Sequence, residues 1–180
     1  MNKADKIQMT TGSLWKNILL FSIPLMLSQL LEVMFNISDV AIVGKFADYR
    51  ALGSVGSTTL LVSLFIGFLI GMGSGVNVQV ALGLGAKDDK TVEKTIHTAF
   101  LICAAIGIVI GVFCILFARP MLQALHTKSD LIDAAVLYLK IYALGMPAMA
   151  VYNFGNGVLS AKGDTKSPLI YLAVAGVLNI

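Results

Sequence analysis

Residues 18–43 read ILLFSIPLMLSQLLEVMFNISDVAIV, a run long enough to cross the roughly 30 Å hydrocarbon core of a bilayer as a helix. The run nonetheless carries Gln29, Glu32, Asn36 and Asp39, spaced three, four and three residues apart. On a helix of about 3.6 residues per turn those spacings put all four in one stripe. The rest of the surface is Leu, Ile, Val, Met and Phe. A carboxylate facing hydrocarbon costs several kcal/mol, so the stripe has to face protein or a water-filled space. Pro24, one to two turns inside the run, marks a bend, because its ring leaves a backbone carbonyl without a donor.

Composition agrees with a membrane chain. Of 180 residues, 57% are hydrophobic and 13% charged, against about 25% charged in soluble domains. The formal net charge of +3 is carried in short clusters between apolar runs, a topology signal and not a nucleic-acid footprint. Cys103 and Cys114 are eleven residues apart in one apolar run. On a helix they stand about 16 Å apart along the axis, beyond disulfide reach, and read as buried packing residues. His97 and His126 have no partner at metal-ligand spacing, so no metal site is expected, and the absence of a nucleophile–base pair argues against an enzyme. The first run is too long for a leader and lacks a small-residue cleavage site, and is expected to remain as an uncleaved span.

Outward from that run, residues 1–16 form a polar tail with Lys3, Lys6 and Lys16, and Trp15 placed as a headgroup anchor. A loop at 44–53 leads to a second span at about 54–82. There Gly67, Gly71 and Gly75 repeat every four residues, a strip expected to admit a neighbouring helix, with Gly73 between them. The polar loop 83–94 precedes a third span at about 95–118, expected to end at Arg119-Pro120, followed by a loop in which Ser129 or Asp130 is the expected N-cap. A fourth span at about 131–159 is interrupted by Lys140, Gly145, Pro147, Asn153 and Asn156. A fifth apolar run, 169–180, has twelve residues where about 20 are needed to span, and is expected to be an incomplete span of a longer protein. Lys3, Lys6, Lys16, Lys87, Lys90, Lys94, Lys162 and Lys166 fall on one side; Lys45, Arg50, Arg119 and Lys128 fall on the other. The positive-inside rule then places the N-terminus in the cytoplasm of a multi-pass cell-membrane protein.

Three blocks resemble the multidrug and toxic compound extrusion (MATE) family. They are LWKNILLFSIPLMLSQLLEVMFNISDVAIVGKFADYRALGSVG, GMGSGVNVQVALGLGAKD and YNFGNGVLSAKGDTKSP, which follow in the right order and are spread over most of the chain, from residue 14 to residue 168. The resemblance implies an all-α polytopic fold: four transmembrane helices and part of a fifth, taken from the N-terminal lobe (17–180) of a two-lobe transporter whose C-terminal lobe is missing. It implies antiport of drugs or other small organic, cationic or amphipathic compounds against H⁺ or Na⁺, with the bilayer as surroundings and no cofactor.

By the same resemblance Asp39 falls on an acidic position tied to cation coupling, with Asn153 and Asn179 near that site. Asn36 and Glu32 share the stripe of Asp39, while Gln29, Pro24 and Asn156 are assigned to the substrate cavity and hinge. Glu32 stands where the family more often has Gln, Phe35 where it often has Tyr, and Ser160 where Arg is frequent. Read from the residues alone, Asn36, Asn153 and Asn156 serve equally as polar contacts between helices, and Asp39, five residues from Gly44, as a solvated helix-end acid. Two other readings remain. A flippase of lipid-linked sugars needs many cavity Arg and Lys residues, which the spans lack. A truncated membrane fragment would insert without transporting.

Overall fold

The computed structural model describes residues 12–179, the side chain of Asn179 excepted. The tail residues Lys3 and Lys6 and the side chain of Asn179 lie outside the described residues. Six helices follow one another: α1 (Leu14–Phe46), α2 (Tyr49–Gly85), α3 (Asp89–Ala124), α4 (Ile132–Leu144), α5 (Met146–Ala161) and α6 (Lys166–Asn179). Three of them, α1 to α3, are long and apolar enough to cross a membrane. The α4–α5 pair meets the same test only as one span, bent by 46°.

That bend has a local cause. Pro147 sits in the first turn of α5 and has no N–H to offer the carbonyl of Ala143, four residues back. The Ala143 carbonyl oxygen lies instead against Gly111 of α3, 2.9 Å from where a Cβ would stand. Met146, fully buried at the bend, packs with Leu69 and Ala150. Of the expected interruptions only Gly145 and Pro147 break the helix; Asn153 and Asn156 sit within α5 and Lys140 is exposed on α4.

Glycines set the tight crossings, though not the ones expected. No heavy atom lies within 4 Å of a Cβ built on Gly67, Gly71 or Gly75, so the four-residue strip has no helix against it. Gly73, about 200° around the helix from Gly71 and Gly75, faces α5 instead. A Cβ there would stand 2.5 Å from the Asn153 carbonyl oxygen, and one on Gly157 would strike the Gly73 carbonyl. Asn77 Nδ2 donates to the Gly157 carbonyl at 3.1 Å across the same crossing. On the other side of α5, Gly107 of α3 meets Ala150 and Pro147. Helices α2 to α5 therefore form one tightly packed block.

Two boundaries also differ from expectation. Helix α3 continues through Arg119-Pro120 to Ala124, because Ala118 and Leu122 are fully buried against Ile132, Ala135 and Leu139 of α4, and the exposed Pro120 ring costs less than giving up that packing. The N-cap of α4 is Leu131, without a side-chain cap. Backbone bonds from Leu131 and Ile132 to the Lys128 carbonyl make the turn that Ser129 or Asp130 was expected to cap. Cys103 and Cys114 are free and buried, as expected of packing residues.

Helix α3 starts on Asp88, whose carboxylate accepts from Thr91 N at 3.0 Å and from Thr91 Oγ1 at 2.6 Å. These bonds hold the Asp88 carboxyl below the usual carboxylate range, so the cap is in place above that range and is lost as pH falls through the lowered value. A carboxyl-carbon NMR titration is expected to find the Asp88 midpoint below that of an ordinary Asp, and Thr91→Val to move it back up.

Replacing Gly73 or Gly157 by Val is expected to destabilise the α2–α5 crossing by about 1–3 kcal/mol or more. The thermal-unfolding midpoint in detergent checks this. Gly71→Ala, with open space at its Cβ, is expected not to lower that midpoint.

Candidate functional site

Helix α1 is held differently from the block. Only Pro24 and Ser28 of its length are buried. Its main partner is α6, with lighter contact to α2. Gly176 permits the α1–α6 contact, since a Cβ there would fall within the Phe35 ring. Within α1, Ser28 Oγ donates to the Pro24 carbonyl at 3.0 Å, and Pro24 has no N–H to offer the carbonyl of Leu20, four residues back.

Because α1 leans on the block instead of packing into it, space remains between them. A cavity of about 610 Å³ opens beside the C-terminal half of α1. Glu32, Phe35, Asn36 and Asp39 line it from α1. Thr58, Thr59 and Ser63 face them from α2, and Tyr138 and Tyr142 from α4. The two tyrosine rings lie 6.2 Å apart, tilted by 32°. No Lys, Arg or His is among the lining residues. The stripe therefore turns three of its four polar residues into one space, with phenol and alcohol hydroxyls opposite.

A second cavity, about 310 Å³, lies at the other end of α1, where Phe21 and Leu25 flank Pro24. Its polar lining is Ser74 and Asn77 of α2 and Asn153, Asn156 and Ser160 of α5. The amides there are internally bonded: Asn153 Nδ2 donates to the Met149 carbonyl at 2.9 Å, and Ser160 Oγ to Asn156 Oδ1 at 3.3 Å. Asn153 and Asn156 are thus not in the cavity of Asp39. Gln29 lines neither space; its Nε2 donates to Glu32 Oε2 at 3.4 Å.

Tyr138, Tyr142, Thr58, Thr59 and Ser63 were not singled out from sequence. Tyr138 and Tyr142 are four apart and share a helix face, and Ser63 lies one turn beyond Thr59. That spacing was readable, but the residues that face α1 are decided by how the helices cross. Among the described residues no group of His, Cys, Asp and Glu is arranged to hold a metal ion.

This arrangement can be compared with known proteins. A family model described as MatE matches residues 24–180. The chain belongs to the MatE family. Probable multidrug resistance protein YoeA of Bacillus subtilis is 30% identical over 168 residues, which is 93% of this chain and 36% of YoeA. Probable multidrug resistance protein YpnP of the same organism is 30% identical over 170 residues, 94% of this chain and 38% of YpnP. A solved outward-facing multidrug resistance MATE family transporter superposes with a TM-score of 0.89 at 20% identity, over 99% of this chain and 39% of that one. The MatE chain thus spans between a third and two fifths of the length of these relatives, and the solved structure shares its all-helical fold.

With both native cysteines buried, single-cysteine labelling reports the geometry directly. Asn36→Cys is expected to react with a charged methanethiosulfonate roughly tenfold faster, or more, than Met34→Cys on the opposite face. Only a wetted thiol ionises to the reactive thiolate.

Proposed function

We propose that this MatE chain is the N-terminal portion of a cation-coupled exporter of drugs or other amphipathic organic compounds. One observation carries the reading: Asp39, Asn36 and Glu32 line a single cavity with no basic residue in its wall, on a helix that contains Pro24. In apolar surroundings a carboxylate is held either protonated or paired with a cation. Asp39, with Asn36 one turn away, is the coupling position for H⁺ or Na⁺, and Asn179 of α6 is a supporting position; Asn153 lines the other cavity and is left out of this site.

In this cycle the substrate binds in the larger cavity. Ion arrival at Asp39 then repacks α1 about Pro24, and the substrate leaves on the outer side. The N-terminus is cytoplasmic, α1 to α3 each span, the α4–α5 pair spans as one bent unit, and α6 begins a fifth span. The driving energy is about 2.3 kcal/mol per charge for each 100 mV of potential. A second lobe supplies the rest of the cavity, in keeping with a chain that covers 36% of YoeA. The isolated 180 residues are then a membrane-inserted portion that does not transport alone. A flippase for lipid-linked sugars is disfavoured because neither cavity has a Lys or Arg in its wall.

In the full-length transporter, Asp39→Asn is expected to abolish ion-driven efflux and drug resistance at an unchanged membrane level. Wild-type resistance in that variant would overturn the assignment.

A further inference from the structure

The smaller cavity takes no part in the cycle above, and it shares no lining residue with the larger one. On α2 the two are one turn apart, with Ile66 in the wall of the larger and Ile70 in the wall of the smaller. No Asp, Glu, Lys, Arg or His lines the smaller cavity. A charged guest there loses its water and finds no countercharge, which excludes ions. The walls differ in kind. Helix α1 contributes only the apolar Phe21 and Leu25, whereas α5 contributes Asn153, Asn156, Gly157 and Ser160. Between them α2 is mixed, with Ile70 and Val78 beside Ser74 and Asn77. The polar groups keep hydrogen-bonding capacity beyond their bonds within the protein. Ser74 Oγ gives its one proton to the Ile70 carbonyl at 3.1 Å, so its oxygen is left to accept. Asn77 donates to the Gly157 carbonyl through Nδ2 and keeps its Oδ1 as an acceptor. Asn156 Oδ1 accepts from Ser160 Oγ, which leaves Asn156 Nδ2 to donate.

We propose that the smaller cavity is a binding site for an uncharged, amphipathic small molecule, distinct from the acid-lined cavity. The guest sets an apolar ring against Phe21 and Leu25 and turns hydroxyl or amide groups toward Asn77, Asn156 and Ser74. Both donors and acceptors are on offer in the wall, so a carboxamide or an alcohol, which has both, is matched where an ion is not. Water alone suits this space less well, because it wets the apolar side without a partner there. A volume of about 310 Å³ falls at the lower end of small-molecule sites, about 300–1,000 Å³. The site does not depend on the exporter reading, since none of its residues belongs to the larger cavity.

Equilibrium binding of radiolabelled chloramphenicol to the purified full-length transporter tests this; the probe is uncharged at neutral pH and carries one aromatic ring, one amide and two hydroxyls. Saturable binding by the wild type is expected. Ser74→Phe, which fills the space with a ring, is expected to weaken it about tenfold or more, and Ser74→Ala, which removes the hydroxyl without adding bulk, to weaken it less. Asn156→Leu, similar in size but without the amide, is expected to weaken it about threefold to tenfold, the worth of one neutral hydrogen bond. Glu32→Gln and Asp39→Asn are expected to keep it within about threefold of wild type. Loss of the probe in either acid variant would place it in the larger cavity and overturn the proposal. So would binding that folded Ser74→Phe leaves intact, or a wild type that shows no saturable binding, the result for a space holding water only. Should Ser74→Phe not fold, Asn156→Leu together with the two acid variants decides.

Discussion

Hydrocarbon does not accept the side chains of Glu32 and Asp39, and the arrangement of this chain follows from giving them somewhere else to face. Water in the bilayer core is absent, so a carboxylate there needs a proton, a cation or a polar cavity. Helix α1 meets that demand by turning its stripe toward α2 and α4, where hydroxyls of Thr58, Thr59, Tyr138 and Tyr142 line the opposite wall. Its other faces keep Leu, Ile, Val and Met outward, with Met26, Leu30 and Ile37 all more than half exposed.

The cavity survives because the helices opposite it are rigid. Small residues let α2, α3 and α5 approach until backbone meets backbone, at Gly73 against Asn153 and at Gly107 against Pro147. Dispersion and close contact, not hydrophobic transfer, drive helix association in lipid, so such crossings carry much of the cohesion. Helix α1 has no comparable crossing with the block. Its one interlocked contact is with α6, where the Phe35 ring rests on Gly176. A lightly packed helix that contains Pro24 thus lies beside a firm block of four helices.

Membership in the MatE family, the fold and the chemistry of the cavity point the same way, yet each rests on different residues. The family match covers residues 24–180. The fold rests on buried Leu, Ala, Cys and Gly that never touch the cavity, and the site rests on a few polar side chains of α1, α2 and α4. Glu32 and Phe35 lie inside that site. A change there alters what the cavity holds without disturbing the packing that forms it.

The sequence by itself determined that the chain is helical and belongs in a membrane, that Glu32, Asn36 and Asp39 share a face, and that the fourth span breaks at Gly145 and Pro147, whereas α1 runs on through Pro24. These are properties of periodicity, apolar length and a missing N–H, all local to one segment. Tertiary structure decided which glycines meet another helix, since Gly67, Gly71 and Gly75 form the better pattern but Gly73 makes the contact. It also carried α3 past Pro120 and set Asn153 and Asn156 in a cavity apart from Asp39. The physical reason is common to all three. A helix's own sequence specifies what lies on each of its faces, but which face meets a neighbour depends on the sum of packing contacts between segments far apart in the chain.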